Sequence, residues 1–253
     1  MVNERLVPQD QRQAGSEEPR ANLEKRQVTV MFVDLADFTS LSHRFTSEQM
    51  IPLLEYFFDR VDTAIVDLGG RIDKHIGDCT VAIFGLEGAS GHEAFKAVAA
   101  AEAIHRNLAE PDPEFGVALR AHIGIASGQV VIRREGSGGI ADGDYTLAGN
   151  SISLASRLSD EARTDETLIT DDIYRQLADL VDCSDPVELS VKGFPQPIKV
   201  RKFLSVTEAA NTPLFVGREY ELGQLEALLD ACGRGIGAVC CIKGEPGIGK
   251  TTL

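Results

Sequence analysis

Val28-Thr29-Val30-Met31-Phe32-Val33-Asp34 is the stretch that decides the fold of this chain. Its first six residues are all β-branched or apolar and show no alternation with polar residues. Such a run is typical of a strand that is buried on both faces, and a strand of that kind lies inside a sheet. The run ends on a carboxylate, so we expect Asp34 at the edge of the sheet where this strand stops.

The next segments predict a helix followed by a hairpin. Thr46 and Gln49 have the spacing of a capping box, and Gly69-Gly70 marks the end of the helix. Two strand-like runs, 71–76 and 79–84, are separated only by Gly77-Asp78, which is the spacing of a tight hairpin. Asp78 is therefore expected on a turn. The helix between 46 and 69 has apolar residues at three-four spacing, namely Met50, Leu53, Leu54, Phe57, Phe58, Val61 and Ile65.

The remainder continues to alternate strands with helices. An alanine-rich helix is predicted over 92–108, and a strand pair over 117–125 and 129–133 with its turn at Ser127-Gly128. A short strand at 145–147 and a helix over 150–162 follow, and further short strands extend to about residue 204. This alternation predicts an α/β fold, or an α+β sandwich, in which helices pack on a central sheet.

Composition limits the classes of function. The net charge of −14 excludes the basic surface that nucleic acid or anionic lipid requires, so an anionic ligand would need metal ions or local donors. The five cysteines form no C-x-x-C pair, and the five histidines show no ligand spacing, so no zinc site is indicated. No apolar run approaches the roughly 20 residues of a membrane span. We therefore expect a cytoplasmic protein with no membrane or direct nucleic-acid partner.

The length of 253 residues corresponds to one full domain and part of a second, at about 150 residues per domain. We expect a flexible leader over 1–25, one complete domain over 26–205, a linker over 206–213 and the truncated start of a P-loop ATPase domain over 214–253. The last segment fits the phosphate-loop pattern G-x-x-x-x-G-K-[ST]. Its phosphate-binding residues would be Gly244, Gly249, Lys250 and Thr251.

Asp34 and Asp78 are the first candidates for chemistry. If the hairpin pairs beside the first strand, both carboxylates meet at one edge of the sheet. They could then hold two Mg²⁺ ions for an in-line displacement at phosphorus. Taken singly, each aspartate is better explained as a cap or a turn residue, because aspartate is common at turns.

Five separated segments resemble the class III nucleotide cyclases, the family of the bacterial adenylate/guanylate cyclase catalytic domain. These segments are 32–39, the K-x-x-G-D run 74–78, 123–128, 145–157 and 192–200. The resemblance implies a ferredoxin-like βαββαβ domain with a central, mostly antiparallel sheet and flanking helices. With the phosphate loop behind it, the organisation resembles bacterial proteins that fuse a cyclase domain to a regulatory P-loop ATPase.

The resemblance also implies residue roles and two Mg²⁺ or Mn²⁺ ions per site. The pair that reads the base favours ATP, because an ammonium and a hydroxyl together match the N1 acceptor and the N6 donor of adenine. Guanine-specific relatives place an acidic residue at the position of Lys74. The implied roles are metal binding for Asp34, Leu35 and Asp78, substrate contacts for Phe38 and Thr39, base reading for Lys74 and Thr146, and transition-state stabilisation for Arg157.

One position departs from the family pattern. Ser153 stands where the family usually has an asparagine that holds the ribose, so we expect slow turnover. In the family the metal carboxylates come from one protomer, while Lys74, Thr146 and Arg157 would come from the other, which implies a homodimer. The leading hypothesis is an adenylate cyclase. The alternative is a catalytically weak nucleotide-binding dimerisation module that regulates the attached ATPase.

Overall fold

A computed structural model describes residues 23–88, 91–111, 116–134, 145–207, 219–235, 237 and 239–243. The chain divides into two compact units, Met1–Val206 and Thr207–Leu253. The first unit contains these elements in order: β1 (Leu23–Leu35), α1 (Phe38–Arg44), α2 (Ser47–Asp67), β2 (Arg71–Ile76), β3 (Cys79–Phe84), α3 (Glu93–Leu108), β4 (Ala121–Arg134), β5 (Tyr145–Ala148), α4 (Asn150–Glu161), β6 (Thr167–Thr170), α5 (Asp171–Leu177), β7 (Val181–Cys183), β8 (Val187–Leu189) and β9 (Ile198–Val206).

The sheet has the order β2-β3-β1-β4-β6-β9-β7, with β5 pairing to β4 and β8 pairing to β9. Its first four strands, joined through α2 and α3, form the βαββαβ unit that the family resemblance implies. Among the pairings described, only β4 with β6 is parallel. The predicted mixed α/β fold with a mostly antiparallel central sheet and flanking helices is confirmed.

The opening strand is longer than its sequence pattern indicates. It begins at Leu23, which pairs with Arg133 of β4, so residues 23–25 belong to the strand rather than to the expected leader. Its apolar centre is buried between two neighbours, because β3 pairs on one side and β4 on the other. Val30, Met31 and Val33 are completely inaccessible. This confirms the central strand predicted from the absence of alternation.

The two faces of β1 contribute to separate cores. Met31 and Val33 pack with the buried sides of α2, α3 and α5. Val28 and Val30 point to the opposite face, where they join a second cluster that includes Ala155 of α4. Side chains alternate along a strand, so Asp34 lies on this second face. The predicted site residue thus shares the face covered by α4.

Strand β4 is continuous where the sequence predicted a turn at Ser127-Gly128. Gly128 has another function, because a Cβ atom there would lie 3.0 Å from Cβ of Ser151 at the start of α4. At Gly124, a Cβ atom would overlap the carbonyl oxygen of Ala155 and the amide nitrogen of Ser159. The absence of a Cβ atom at these two positions lets α4 pack directly on the backbone of β4.

We expect Gly124→Ala to destabilise the first unit by about 1–3 kcal/mol or more, because the new methyl group meets helix backbone that cannot rotate away. For a unit of this size each kcal/mol lowers Tm by roughly 2–4 °C. Thermal unfolding measured by circular dichroism tests this. Gly88→Ala is the matched control, since nothing lies within 4 Å of a Cβ atom at Gly88. Equal Tm values for the two variants would contradict the packing argument.

In the second unit the structure describes one helix, α6 (Glu219–Gly233). The apolar run 238–242 that precedes the phosphate-loop pattern predicts a strand, but Val239 and Cys240 to Ile242 have no strand conformation, and Val239 is 98% exposed. The described part of this unit contains no second strand with which such a segment could pair. None of the described helices is long and apolar enough to cross a bilayer.

Candidate active site

The two predicted metal carboxylates lie at the same edge of the sheet. Asp34 is the penultimate residue of β1, opposite Cys79 of β3, and Asp78 is in the turn that immediately precedes Cys79. The backbone amide of Leu35 donates a hydrogen bond to the carbonyl of Asp78 at 3.4 Å. The antiparallel β1–β3 register therefore brings together two aspartates that are 44 residues apart in the sequence.

The local charge balance at this edge is negative. The pKa of Asp34 is raised, chiefly by burial and then by the charges of Asp78 and Asp160, while His122 acts in the opposite direction. Burial and the charges of Asp34 and Asp78 likewise raise the pKa of the Cys79 thiol to about 12. Carboxylates that repel one another in a partly buried position are stabilised when a cation binds between them.

The donor set at this edge fits Mg²⁺ or Mn²⁺ that is shared with a phosphate ligand. Within the described residues no group of three or more histidine, cysteine, aspartate or glutamate side chains is arranged to hold a metal ion by itself. Two carboxylates are nevertheless the usual protein share of a magnesium site, since Mg²⁺ retains waters and binds substrate phosphates. The site therefore fits a metal that arrives with a nucleotide better than a permanently bound structural ion.

Phe38 and Thr39 follow the carboxylate segment directly. They are the first two residues of α1, and Asp37 precedes them with a left-handed backbone (φ 58°). The amide of Ala36 donates to the carbonyl of Arg120 at 2.8 Å, which holds this connection against the residue before β4. Phe38 packs partly into the core, and Thr39 is exposed. Thr39 is thus the more accessible of the two predicted substrate contacts.

The predicted base-reading residues lie on strands β2 and β5. Lys74 is exposed, and its Nζ atom is 3.2 Å from the carboxylate of Asp73. Thr146 is also exposed and pairs with Arg133 near the end of β4. Arg133 is eleven residues beyond His122, the β4 residue opposite Asp34, which corresponds to roughly 35 Å of strand at about 3.3 Å per residue. One chain therefore does not bring its own Thr146 to its own Asp34.

Ser153 and Arg157 share the exposed face of α4, four residues apart. A guanidinium nitrogen of Arg157 is 2.9 Å from the carboxylate of Asp160, one turn further along the helix. The packing of α4 on Gly124 and Gly128 fixes the helix, so both side chains project from a rigid element. Ser153, at the position where the family resemblance predicts an asparagine, presents only a short hydroxyl.

Two further residues at this edge were missed in the sequence. His122 is opposite Asp34, and its Nε2 atom is 3.9 Å from the Asp34 carboxylate. Its Nδ1 atom donates to the carbonyl of Ser159 at 2.9 Å, and the Ser159 hydroxyl donates to the carbonyl of His122 at 3.2 Å. Asp160 adds its charge to the same edge. The strand register that brings His122 to Asp34 leaves no local signal in the sequence.

Comparisons with known proteins identify the family and the fold of the chain. The family model of the adenylate and guanylate cyclase catalytic domain matches residues 21–205. The chain belongs to this family. Among solved structures, it resembles the adenylyl cyclase CyaB from P. aeruginosa, with 28% identity and a TM-score of 0.64 over 72% of this chain and 96% of that one. It also resembles the guanylyl cyclase Cya2, with 25% identity and a TM-score of 0.67 over 74% of this chain and 96% of that one.

The curated relatives are longer than this chain. The uncharacterized protein Rv1320c of Mycobacterium tuberculosis is 32% identical over 60% of this chain, and the uncharacterized protein Mb1352c of Mycobacterium bovis is 28% identical over 77%. The chain spans 26% of the length of the first and 36% of the second. The chain thus contains a class III nucleotide cyclase domain, and both adenylyl and guanylyl cyclases are similar to it.

The four predicted phosphate-loop residues, Gly244, Gly249, Lys250 and Thr251, lie outside the described residues.

Asp34→Asn is expected to stabilise the metal-free cyclase domain at neutral pH, raising Tm by roughly 2–4 °C for each kcal/mol gained. A raised pKa in the folded state means that the ionised Asp34 costs stability, and this cost develops as pH rises through the folded-state pKa. The gain should therefore vanish below the ordinary pKa range of aspartate. Thermal unfolding in EDTA from pH 3 to pH 8 measures it. Asp37→Asn, a change at a nearby exposed carboxylate, is the control, and an equal gain there would refute the explanation.

Proposed function

We propose that this cyclase domain is an adenylate cyclase that converts ATP to 3′,5′-cyclic AMP and pyrophosphate. In this reaction the ribose 3′-oxygen loses its proton and attacks the α-phosphorus, and the bond from that phosphorus to the pyrophosphate oxygen breaks. The observation that carries the proposal is the meeting of Asp34 and Asp78 at one edge of the sheet. The charge of Asp78 raises the pKa of Asp34, so a bound cation would stabilise the ionised pair. That arrangement suits a polyphosphate substrate within an acidic protein.

Asp34 and Asp78 would hold two Mg²⁺ or Mn²⁺ ions, with Leu35 in the same metal-binding segment. Bound there, the metals would neutralise the triphosphate and favour the deprotonated 3′-oxygen. Thr39 and Phe38, at the start of α1, would lie beside the triphosphate because they follow Asp34 by four or five residues. Arg157 would meet the negative charge that develops on the α-phosphate, since its guanidinium offers several fixed donors.

Lys74 and Thr146 would select adenine. Lys74 donates to the N1 acceptor of adenine, and the Thr146 hydroxyl can accept from its N6 amino group. Guanine presents a donor at N1 and an acceptor at O6, so the same pair would leave polar groups unmatched, which is costly in a desolvated pocket. The support for ATP is therefore the chemistry of these two side chains, both of which are exposed on the described surface.

The active unit would be a homodimer with two sites. The strand distance between Asp34 and Thr146 supports this, because one chain cannot place both residues against one small nucleotide. A twofold arrangement would combine the metal edge of one protomer with Thr146 and Arg157 of its partner, and the reverse at the second site. A single chain would then bind metal without forming product.

Product identification tests the proposed function. The purified 253-residue chain would be incubated with ATP or GTP in the presence of Mn²⁺, and the cyclic nucleotides separated by chromatography. Cyclic AMP as the main product, formed faster than cyclic GMP at equal substrate concentrations, is the expected result. Cyclic GMP as the main product would overturn the assignment of Lys74 and Thr146. Phosphate release that depends on Lys250, without any cyclic product, would favour an ATPase instead.

Ser153→Asn is expected to raise kcat for cyclic AMP formation by about tenfold or more. An asparagine at this position of α4 supplies a longer amide that can hold the ribose, and one well-placed donor of this type is worth about a hundredfold in other enzymes. Initial rates at saturating ATP measure the effect. Ser156→Asn, on the same helix, is the matched control. A rise of less than twofold would contradict the role given to this position.

The second candidate function is a nucleotide-binding dimerisation module that regulates a P-loop ATPase attached to its C-terminus. The presence of Ser153 in place of the usual asparagine favours this candidate. It predicts that the wild-type chain binds ATP and forms no cyclic AMP. Turnover by Ser153→Asn together with an inactive wild type would select it over the enzyme.

A further inference from the structure

The direction in which Lys74 projects is set by an irregularity in β2. Ile72 pairs with Ala82 and Lys74 pairs with the adjacent Val81, so Asp73 is an extra residue that forms a β-bulge. Regular alternation would have placed Lys74 on the same face as Ile72, which packs against the core under α2 and α3. The bulge instead turns Lys74 to the opposite face. Bulges commonly redirect a side chain in this way beside active sites.

The bulged residue joins the two strands that carry the base-reading side chains. Its carboxylate is only 12% exposed and pairs with the ammonium of Lys74, which is 59% exposed. The same carboxylate acts on the hydroxyl of Tyr145, because burial together with Asp73 raises the pKa of Tyr145 to about 12. The guanidinium of Arg71 lies over the Tyr145 ring at 5.6 Å. Tyr145 immediately precedes Thr146 on β5.

We propose that Asp73 is a positioning residue that determines base selectivity. It holds the Lys74 ammonium with one interaction and the hydroxyl of Tyr145 with another, and so fixes the spacing between Lys74 and Thr146. This inference rests on the proposed function, since it deepens the role of those two residues. Asp73 would influence which purine base is accepted by positioning its neighbours, and it would not contact the reacting atoms.

The physical reason lies in the lysine side chain. An ammonium on a flexible stem has three rotatable donors and can serve the O6 and N7 atoms of guanine as readily as N1 of adenine. A buried carboxylate that occupies one donor restricts the others to one direction. Loss of that restraint should therefore lower the selectivity between adenine and guanine more than it lowers the affinity for either nucleotide. A charge-assisted hydrogen bond of this kind contributes enough to change the ratio of two substrates by about tenfold.

The test compares Asp73→Asn and Tyr145→Phe with the wild-type chain. Asp73→Asn keeps the size and a hydrogen-bonding group but removes the charge that holds Lys74, and Tyr145→Phe removes only the second interaction. Asp62→Asn is the matched control, because Asp62 pairs with His75, the residue after Lys74 on β2, with 3.1 Å between the nearest atoms. The readout is the ratio of kcat/KM for ATP to kcat/KM for GTP, with Tm recorded for every variant.

We expect Asp73→Asn to lower this ratio by about tenfold, Tyr145→Phe to lower it by a smaller factor, and Asp62→Asn to leave it within twofold of wild type. A parallel fall of both kcat/KM values at an unchanged ratio would overturn the proposal, because that is the signature of a merely structural residue. A variant with lowered Tm and an unchanged ratio would overturn it as well.

A binding measurement separates this proposal from the proposed function. Calorimetric Kd values for 3′-deoxy-ATP and 3′-deoxy-GTP with Mn²⁺ give the same selectivity without turnover, because neither analogue has the attacking hydroxyl. If wild type forms no cyclic nucleotide, the proposed enzyme function fails. A tenfold loss of selectivity in the Kd ratio for Asp73→Asn would still support its positioning role, and an unchanged Kd ratio would refute it.

Discussion

Cyclic AMP formation by the Asp34→Asn variant is expected to be at least about a thousandfold slower than formation by the wild-type chain. Asparagine is nearly the same size as aspartate but cannot supply the charge that a divalent metal requires. Metal stabilisation of a transferring phosphoryl group contributes several kcal/mol, and each 1.36 kcal/mol is a factor of ten in rate. Initial rates at saturating Mn²⁺ and ATP measure the loss.

Two controls make this result specific to the metal site. Asp34→Asn should unfold at a higher temperature than wild type in EDTA, so the loss of rate cannot arise from a damaged fold. Asp37→Asn removes an exposed carboxylate three residues away and should retain the rate within a few-fold. A rate for Asp34→Asn within tenfold of wild type would show that this carboxylate does not hold the catalytic metal.

The parts of the fold that the sequence predicted are those determined by local patterns. The capping box of Thr46 and Gln49 is present at the start of α2, and the hairpin strands begin and end at the predicted residues. The predicted meeting of Asp34 and Asp78 is also observed. It follows from only two facts, a central strand that ends on one aspartate and a neighbouring hairpin that turns on another.

The contacts that the sequence did not reveal depend on pairing between distant segments. His122 reaches Asp34 because β4 pairs with β1 in one particular register, and Asp160 acts there because α4 runs back along β4. The turn predicted at Ser127-Gly128 was wrong for a related reason. A glycine in a strand can permit a turn or the close approach of another element, and here the other element is α4.

The bulge at Asp73 is a further example of a feature without a local pattern. The run 71–76 was predicted as one strand of a tight hairpin, and the strand is present. The extra residue is visible only in the pairing with Ala82 and Val81. The family resemblance thus implied a role for Lys74, but the face of the sheet on which Lys74 lies could be determined only from the structure.

The position of Arg157 raises a question that a mixing experiment answers. Arg157 pairs with Asp160, and the charge of Asp160 reaches Asp34 of the same chain, so the arginine could serve its own metal edge or that of a partner. Arg157→Ala alone is expected to lower the rate by about a hundredfold to a thousandfold, as the loss of one transition-state donor does elsewhere. That single loss is the same for both arrangements.

A mixture of Arg157→Ala and Asp34→Asn chains distinguishes the two arrangements. If each site combines Asp34 of one protomer with Arg157 of the other, half of the dimers in an equal mixture are mixed, and each contains one intact site of two. The rate should then recover to about a quarter of wild type. A mixture of Asp34→Asn and Asp78→Asn chains is the control and should remain inactive, because both changes affect the same half of the site and no combination restores it. Recovery in neither mixture would place Arg157 in the site of its own chain, since no exchange of partners can then rebuild a complete set of residues.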